Sequence, residues 1–438
     1  MARETKTGGR DATTAVIPGK YGLSIGNPGR ELPRGFEWRL LTDLARLESG
    51  HTPSRSRPTY WDGEIPWVGI RDASGNHGLT IYDTQQHITQ AGVDNSSTRV
   101  LPAGTVCLSR TASVGYVITM GVPMATSQDF VNWVCGPGLD RRYLHYMLMA
   151  EQEMIRRAAF GSVHATLYYP DAKALYISVP QLSEQRSIAD VLGALDNKIA
   201  ANTKIATTAD ELAGALTRHA AIQGDSVRLG DVAYITMGSS PKGENLNEQG
   251  NGVPFYQGVR DFGMRFPSRR VSTDTPIRFA EPGDLLISVR APVGEINVAP
   301  ERLCIGRGLA AVRAKDSRQA TLFHTLRHVP EIWLPYEAEG TVFGSINRDQ
   351  LHGVIVPAFA ADSAGRLEME LDAIERRIAT ALGEVDVLTA TREALLPRLM
   401  SGKLRVRDAE RIAEDPVNSV EQLPEVRAQT EAPSDGLW

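Results

Sequence analysis

The chain has 438 residues, 42% hydrophobic and 23% charged, with a formal net charge of −5. That length exceeds a single core and implies two or more domains of ordinary soluble, globular composition. No run of about 18 apolar residues is present, so no membrane span is expected; "MARETKTGGRDATTA" has no apolar signal core, so export is not expected either.

In chain order, residues 1–33 form a polar arm around the short "VIPGKYGLSIG". From Arg34 the chain carries a pattern that it later repeats. "LTDLARLESGHTP" (Leu41–Pro53) aligns without gaps on "LGDVAYITMGSSP" (Leu229–Pro241). "IPWVGIRD" matches "VPFYQGVRD" with one inserted residue, which sets Pro66, Gly69, Arg71 and Asp72 against Pro254, Gly258, Arg260 and Asp261. "AGTVCLSRTASVG" resembles "PGDLLISVRAPVG", pairing Ser109 with Ser288 and Gly115 with Gly294. "GSVHATL…SVP" resembles "GTVFGSI…IVP". Four matches in the same order indicate a duplicated domain, over residues 34–180 and 227–357. Short apolar runs bounded by Gly and Pro make each copy strand-rich in its middle. "DRRYLHYMLMAEQEMIRRAAF" reads as one amphipathic helix in the first copy, with a shorter, Pro-interrupted counterpart in the second.

Residues 181–226 and 358–406 have a different texture. Leu192, Leu195 and Ile199 continue a 3-4 apolar spacing through Ala206 and Ala213; Leu371, Ile378, Leu388 and Leu395 do the same in the second stretch. Such seams predict long helices paired as an antiparallel coiled coil, with Asn202 and Arg392 restricting register and Pro397 kinking or ending the second helix. A helix of 40 residues is about 60 Å long, close to the roughly 68 Å of two turns of B-DNA. An ordinary helical hairpin packing two domains together fits the same pattern. Residues 407–438 hold three arginines against eight acidic residues, the whole of the −5 net charge, and read as an acidic, disordered tail.

Catalytic signatures are missing from the sequence. Gly19-Lys20 is followed by Tyr21 and makes no phosphate loop. The nine histidines have no ligand spacing, and Cys107, Cys135 and Cys304 form no CxxC pair, which fits a reducing cytoplasm. Pro170-Asp171 with Asp196-Asn197-Lys198 imitates a nuclease signature, but Asp196 and Lys198 fall on a predicted helix. "GRG" at 306–308 is too short to use as a glycine motif.

The residues that do recur identify a resemblance. "LPRGFEWRLLTDLARLESGHTPSRSRPTYWDGEIPWVGIRD" is similar to the opening of target-recognition domains in the specificity (S) subunits of type I restriction–modification systems. His51 departs from the usual small residue there. "MGSSPKGENLNEQGNGVPFYQG", "SVRAPVG" and "CIGRGLAAVRA" resemble another subclass of such domains, and "VPQLSEQRSIADVLGALDNKI" and "LLPRLMSGKLRV" resemble the family's helix start and C-terminal signature. After the second copy the usual Leu-x-Glu-Gln is missing.

The resemblance implies an α+β fold: two globular, mixed, strand-rich target-recognition domains joined by two long antiparallel coiled-coil helices. It implies a cytoplasmic, non-catalytic subunit that reads a bipartite, asymmetric sequence in double-stranded DNA. The expected partners are two methyltransferase subunits and two restriction subunits. No cofactor is expected in this chain; S-adenosylmethionine, ATP and Mg²⁺ belong to the partners. A protein-only scaffold, or a nuclease or methyltransferase with its own active site, are the alternatives.

Base readout favours Arg on guanine and Asn or Gln on adenine, while phosphates take Arg, Lys and hydroxyls. These criteria nominate Arg55, Arg57, Arg71, Arg110 and His164 in the first domain. In the second they nominate Lys242, Arg260, Arg265, Arg269, Arg270, Arg290, Ser345, Asn347 and Arg348. The recurring Arg71-Asp72 and Arg260-Asp261 would equally suit a shared structural ion pair. Trp67, matched to Phe255, reads as core; Tyr60 and Trp61 are either core or stacking surfaces.

Overall fold

The computed structural model describes residues 16–111, 113–159, 165–221, 225–336, 344–359 and 361–414. The chain divides into two compact units, Met1–Ile199 with Asp386–Trp438, and Ala200–Val385.

The first unit opens with β1 (Ile17–Pro18), β2 (Leu23–Ile25), β3 (Glu37–Leu40), α1 (Leu41–Leu44) and β4 (Ala45–Ser49). Next come β5 (Trp61–Val68), α2 (Ile70–Gly75), β6 (Thr80–Ile81), β7 (Gln86–Ile88) and α3 (Gln90–Asp94). Its centre is β8 (Val106–Ser109), β9 (Val117–Met120), β10 (Ala125–Thr126) and β11 (Phe130–Cys135). It closes with α4 (Arg141–Ala150), α5 (Gln152–Ala158), α6 (Tyr169–Lys173) and β12 (Leu175–Val179), before α7 (Leu182–Ala221). The main sheet has the order β4-β11-β8-β9-β6. Its strands read as unbroken apolar runs because both faces are covered. Val106, Leu108, Val117, Val131 and Trp133 enter one core, while Cys107, Ile118, Met120 and Phe130 enter another.

The second unit runs through β13 (Ser226–Arg228), α8 (Leu229–Val232), β14 (Ala233–Met237), β15 (Leu246–Asn247), β16 (Val253–Tyr256) and β17 (Ser272–Thr273). It continues with β18 (Phe279–Ala280), β19 (Leu285–Ser288), β20 (Ile296–Val298), β21 (Leu303–Ile305), β22 (Leu309–Ala314) and α9 (Gln319–His328). Then follow α10 (Arg348–Gly353), β23 (Ile355–Pro357) and α11 (Ala361–Met400). The order β14-β22-β19-β20 repeats β4-β11-β8-β9, and β16 runs parallel to β21 as β5 does to β10. The duplication reaches single hydrogen bonds. Ser109 Oγ donates to the Ser113 carbonyl (2.6 Å) and accepts from Tyr116 N (2.8 Å). Ser288 Oγ donates to the Pro292 carbonyl (2.6 Å) and accepts from Glu295 N (2.9 Å). Gly115 and Gly294 end these loops at φ 103° and 87°, where side chains are strained.

The seams form as predicted. In the first unit Ile188, Leu192 and Leu195 of α7 share a core with Leu388, Leu395 and Leu399 of α11. In the second, Ala206 packs with Ile378 and Ala381, and Ala213 with Leu367 and Leu371. Rising numbers on one helix meet falling numbers on the other, so the pairing is antiparallel. Both polar seam residues find a partner on the facing helix: Asn202 donates to Glu384 (2.7 Å) and Arg392 to Asp196 (3.0 Å). Pro397 lies inside the last turn of α11, which stops at Met400.

Three expectations need correction. The arm is not separate from the first domain, because β2 pairs with β12 and so joins its sheet. The stretch expected as one helix breaks at Glu151, between α4 and α5. The Glu151 side chain turns inward, and its carboxylate accepts the backbone N–H groups of Lys20 (3.0 Å), Tyr21, Gly22 (2.7 Å) and Leu23 (3.2 Å). Charge-assisted bonds to a carboxylate are strong, so the break fastens the arm. In the tail, Val406–Glu414 form α12 with Ala409 buried in the first core, and residues 415–438 lie outside the described residues.

Glu151→Ala orphans four N–H groups and should cost about 2–3 kcal/mol. Tryptic cleavage after Lys20 should then accelerate relative to wild type, with Glu151→Gln intermediate; equal cleavage rates in all three proteins would contradict this role.

Candidate nucleic-acid interface

In the first unit the polar loops converge at the ends of β4, β8 and β10. Trp67 is core, as expected: it is 3% exposed and donates its indole N–H to the His51 carbonyl (3.1 Å). Trp61 packs edge-on against it with centroids 5.2 Å apart, and donates to the Ser54 carbonyl (3.2 Å). Arg55 lies over the Trp61 ring at 4.5 Å and donates to Gln86 (3.2 Å). This stacked cation is thereby held in one place at the surface. Thr52 donates to the Gln128 side chain, and the Gln128 carbonyl accepts from Arg110 Nε (3.2 Å). Arg110 Nη1 also reaches the Leu167 carbonyl (3.2 Å), next to Tyr169. Contacts therefore run from Gln86 through Thr52 and Gln128 to Tyr169, and bring Arg55 and Arg110 onto one continuous surface. Arg57 and Arg71 are exposed, and among the described residues neither has a side-chain hydrogen bond or ion pair. His164 lies outside the described residues.

The recurring Arg-Asp pairs are not ion pairs. Asp72 accepts from Gly69 N (2.8 Å) and Gln85 N (2.9 Å), capping α2. Asp261 pairs instead with Arg270 (2.9 Å), which also approaches Glu248 (3.4 Å). That leaves Arg260 exposed and unpaired among the described residues. Arg270 spends most of its donors on these carboxylates and is a poorer candidate than its exposure suggests.

Elsewhere in the second unit, Arg269 donates to the Gly250 carbonyl (3.0 Å) and Lys242 faces Glu244 (3.7 Å). Arg290 is exposed and forms a β-bridge with Ser345; together with Gln257, Ser288 and Gly308 it lines a small pocket. Asn347 caps α10 by accepting from Gln350 N (2.9 Å), so its side chain is partly committed to structure, and Arg348 follows it at the exposed helix start.

Arg265 is a correction. It is 1% exposed and cannot reach a ligand at the surface. Its guanidinium stacks on Phe323 at 4.3 Å and bonds Asp210 of α7 (2.9 Å) and Glu375 of α11 (3.0 Å). His324 Nε2 donates to the Glu375 carboxylate (2.8 Å), and His328 approaches Asp210 (3.3 Å). Burial pushes the Asp210 carboxyl up, but His328, Arg265 and Arg327 outweigh it and hold it well below the usual range. Burial lowers His324, which its bond to Glu375 only partly offsets. Asp210, His324 and His328 lie within ligand distance of one another, but the Arg265 guanidinium already sits on Asp210 as the cation. The cluster ties the β16–β17 connection and α9 to α7 and α11.

Sequence reading passed over two residues. Arg307, inside the dismissed "GRG", is exposed and without a side-chain partner among the described residues; Gln128 holds the matching turn of the first unit. Aligning the strands rather than the motifs would have found both. The nuclease imitation fails, since Asp171 lies on α6 and Asp196 on α7, where it accepts from Tyr146 (2.6 Å) and Arg392. No helix among the described residues is long and apolar enough to cross a membrane.

Residues 33–209 match the family model described as "Type I restriction modification DNA specificity domain". The chain is 22% identical over 418 residues to the type I restriction enzyme MjaIX specificity subunit of Methanocaldococcus jannaschii, covering 86% of this chain and 95% of that one. A second protein of that organism, MjaX, provisionally named as such a subunit, is 29% identical over 292 residues, 60% of this chain and 68% of that one. Among solved structures, the type I restriction–modification S subunit from M. genitalium matches 85% of this chain and 97% of its own, at 17% identity and a TM-score of 0.57, which supports the fold.

Replacing Arg57, Arg71 or Arg260 singly by Ala should change stability by less than about 0.5 kcal/mol. Arg265→Met takes the buried cation from two half-buried carboxylates, leaving Asp210 with Arg327 and His328 and Glu375 with His324, and should cost roughly 1–3 kcal/mol. Urea denaturation separates the two classes; a neutral Arg265→Met would remove the cluster's structural role.

Proposed function

Because the chain belongs to the specificity subunits of type I restriction–modification systems, we propose that its two units read the two unlike halves of a bipartite DNA target. One observation carries this reading: a single sheet frame occurs twice, with the same glycines and serines inside and different polar side chains outside. A repeated frame with divergent surfaces suits two related but distinct ligands.

Residues 34–180 and 227–357 are the target-recognition domains, with β1 and β2 attached to the first. The helices 181–226 and 358–406 set the gap between the half-sites. Arg55, Arg57, Arg71 and Arg110, with Lys242, Arg260, Arg269, Arg290 and Arg348, supply phosphate and base contacts. Two methyltransferase subunits and two restriction subunits assemble on this non-catalytic chain in the cytoplasm. S-adenosylmethionine, ATP and Mg²⁺ serve those partners.

Exchanging residues 34–180 for another first domain should change one half of the methylated sequence and leave the other intact. Mapping methylated adenines checks this, and an unchanged sequence would overturn the proposal. Deleting one heptad from each helix should alter the gap alone. Arg57→Ala or Arg260→Ala should weaken binding of the assembled complex to all sequences alike and flatten its salt dependence by about one ion.

A further inference from the structure

The turn between β10 and β11, and its counterpart between β21 and β22, are fixed by the same main-chain bonds. His51 N donates to the Thr126 carbonyl (2.9 Å), and Ser239 N to that of Ile305 (2.9 Å). Ser127 N donates to Val68 (3.0 Å), and Gly306 N to Tyr256 (2.8 Å). Arg110 N donates to Asp129 (2.7 Å), and Val289 N to Gly308 (2.9 Å). Phe130 N closes the first turn onto Ser127 (3.3 Å), and Leu309 N the second onto Gly306 (3.0 Å). Both turns pack against a glycine: a Cβ on Gly50 would overlap the Ser127 carbonyl, and one on Gly238 the Gly306 carbonyl. Gln128 and Arg307 therefore occupy the same place on the two frames.

Both side chains are exposed on a rigid main chain, which a sequence reader requires. Thr52 donates to Gln128 Oε1, which fixes the orientation of the amide and leaves its second lone pair and its NH₂ group available. Arg307 N donates to Ser240 Oγ (3.1 Å), and that hydroxyl donates to Gln257 (2.8 Å), so the residue is anchored while its guanidinium is free of protein partners among the described residues. Gln and Arg carry the two donor–acceptor patterns that match adenine N6/N7 and guanine O6/N7 in a bidentate manner.

We propose that Gln128 and Arg307 are matched specificity-determining residues, Gln128 reading an adenine and Arg307 a guanine at equivalent positions of the two half-sites. This inference rests on the DNA-reading function proposed above.

The test uses the full chain assembled with its methyltransferase subunits on a library randomised in both half-sites. For Arg307→Gln, the preference for guanine at one position of one half-site should fall roughly tenfold or more, with the other half-site unchanged. Gln128→Arg should alter a single position in the opposite half. Arg307→Lys keeps the charge but loses the fork, so it should lose the guanine preference while its salt dependence stays that of wild type. Unchanged preference in folded Arg307→Gln and Gln128→Arg complexes would overturn the inference, as would uniform weakening over all sequences, the mark of a phosphate contact. A wild-type complex with no preference at all would instead overturn the DNA-reading function, and this inference with it.

Discussion

A glycine pressed against a carbonyl oxygen sets the geometry of each recognition unit. Gly50 and Gly238 leave no room for a side chain beside Ser127 and Gly306, so the chain just beyond β4 and β14 approaches the neighbouring turn at main-chain distance. Four matched hydrogen bonds then fix that turn from several directions. Freedom survives only in the side chains that project outward. This is why the two copies agree in glycine, serine and proline while differing in arginine, glutamine and lysine. Interior and exterior answer to different demands on the same backbone.

The two units use different physics to hold their helices. In the first, α4, α7 and α11 meet through a broad apolar core, with the Tyr146–Asp196–Arg392 chain as a polar supplement. In the second, the apolar contacts are smaller and built largely from alanine. There a buried arginine between two carboxylates, flanked by two stacked histidines, supplies the tie. Such a cluster adds little net stability over an apolar equivalent, but it tolerates no displaced partner. It gives the second unit a defined docking geometry where small side chains alone would leave several.

Much of this was legible because periodicity is local. The paired seams, the strand runs and the duplication follow from spacings visible in a short window. The failures all involve partners distant in sequence. Nothing near Glu151 announces that residues 20–23 will donate to it, so an apparently continuous helix breaks there. Nothing near Arg265 distinguishes it from the exposed Arg269 and Arg270, since burial is decided by Asp210 and Glu375. The same holds for Asp72 and Asp261, which look alike in sequence yet bond differently. Arg307 was hidden for another reason: its flanking glycines suggested a phosphate loop or nothing, whereas they serve close packing against Gln257.

The attachment of the arm also has a consequence for synthesis. β2 pairs with β12, and the first core takes residues from α11 and α12, whereas the second unit is one uninterrupted stretch from Ala200 to Val385. A ribosome therefore releases every part of the second unit before the last pieces of the first emerge. The core of the first unit is complete only once Leu388, Leu395, Leu399 and Ala409 have joined it. In chain order the second unit is thus an insert between two segments of the first, and the first is held together by contacts between residues distant in sequence.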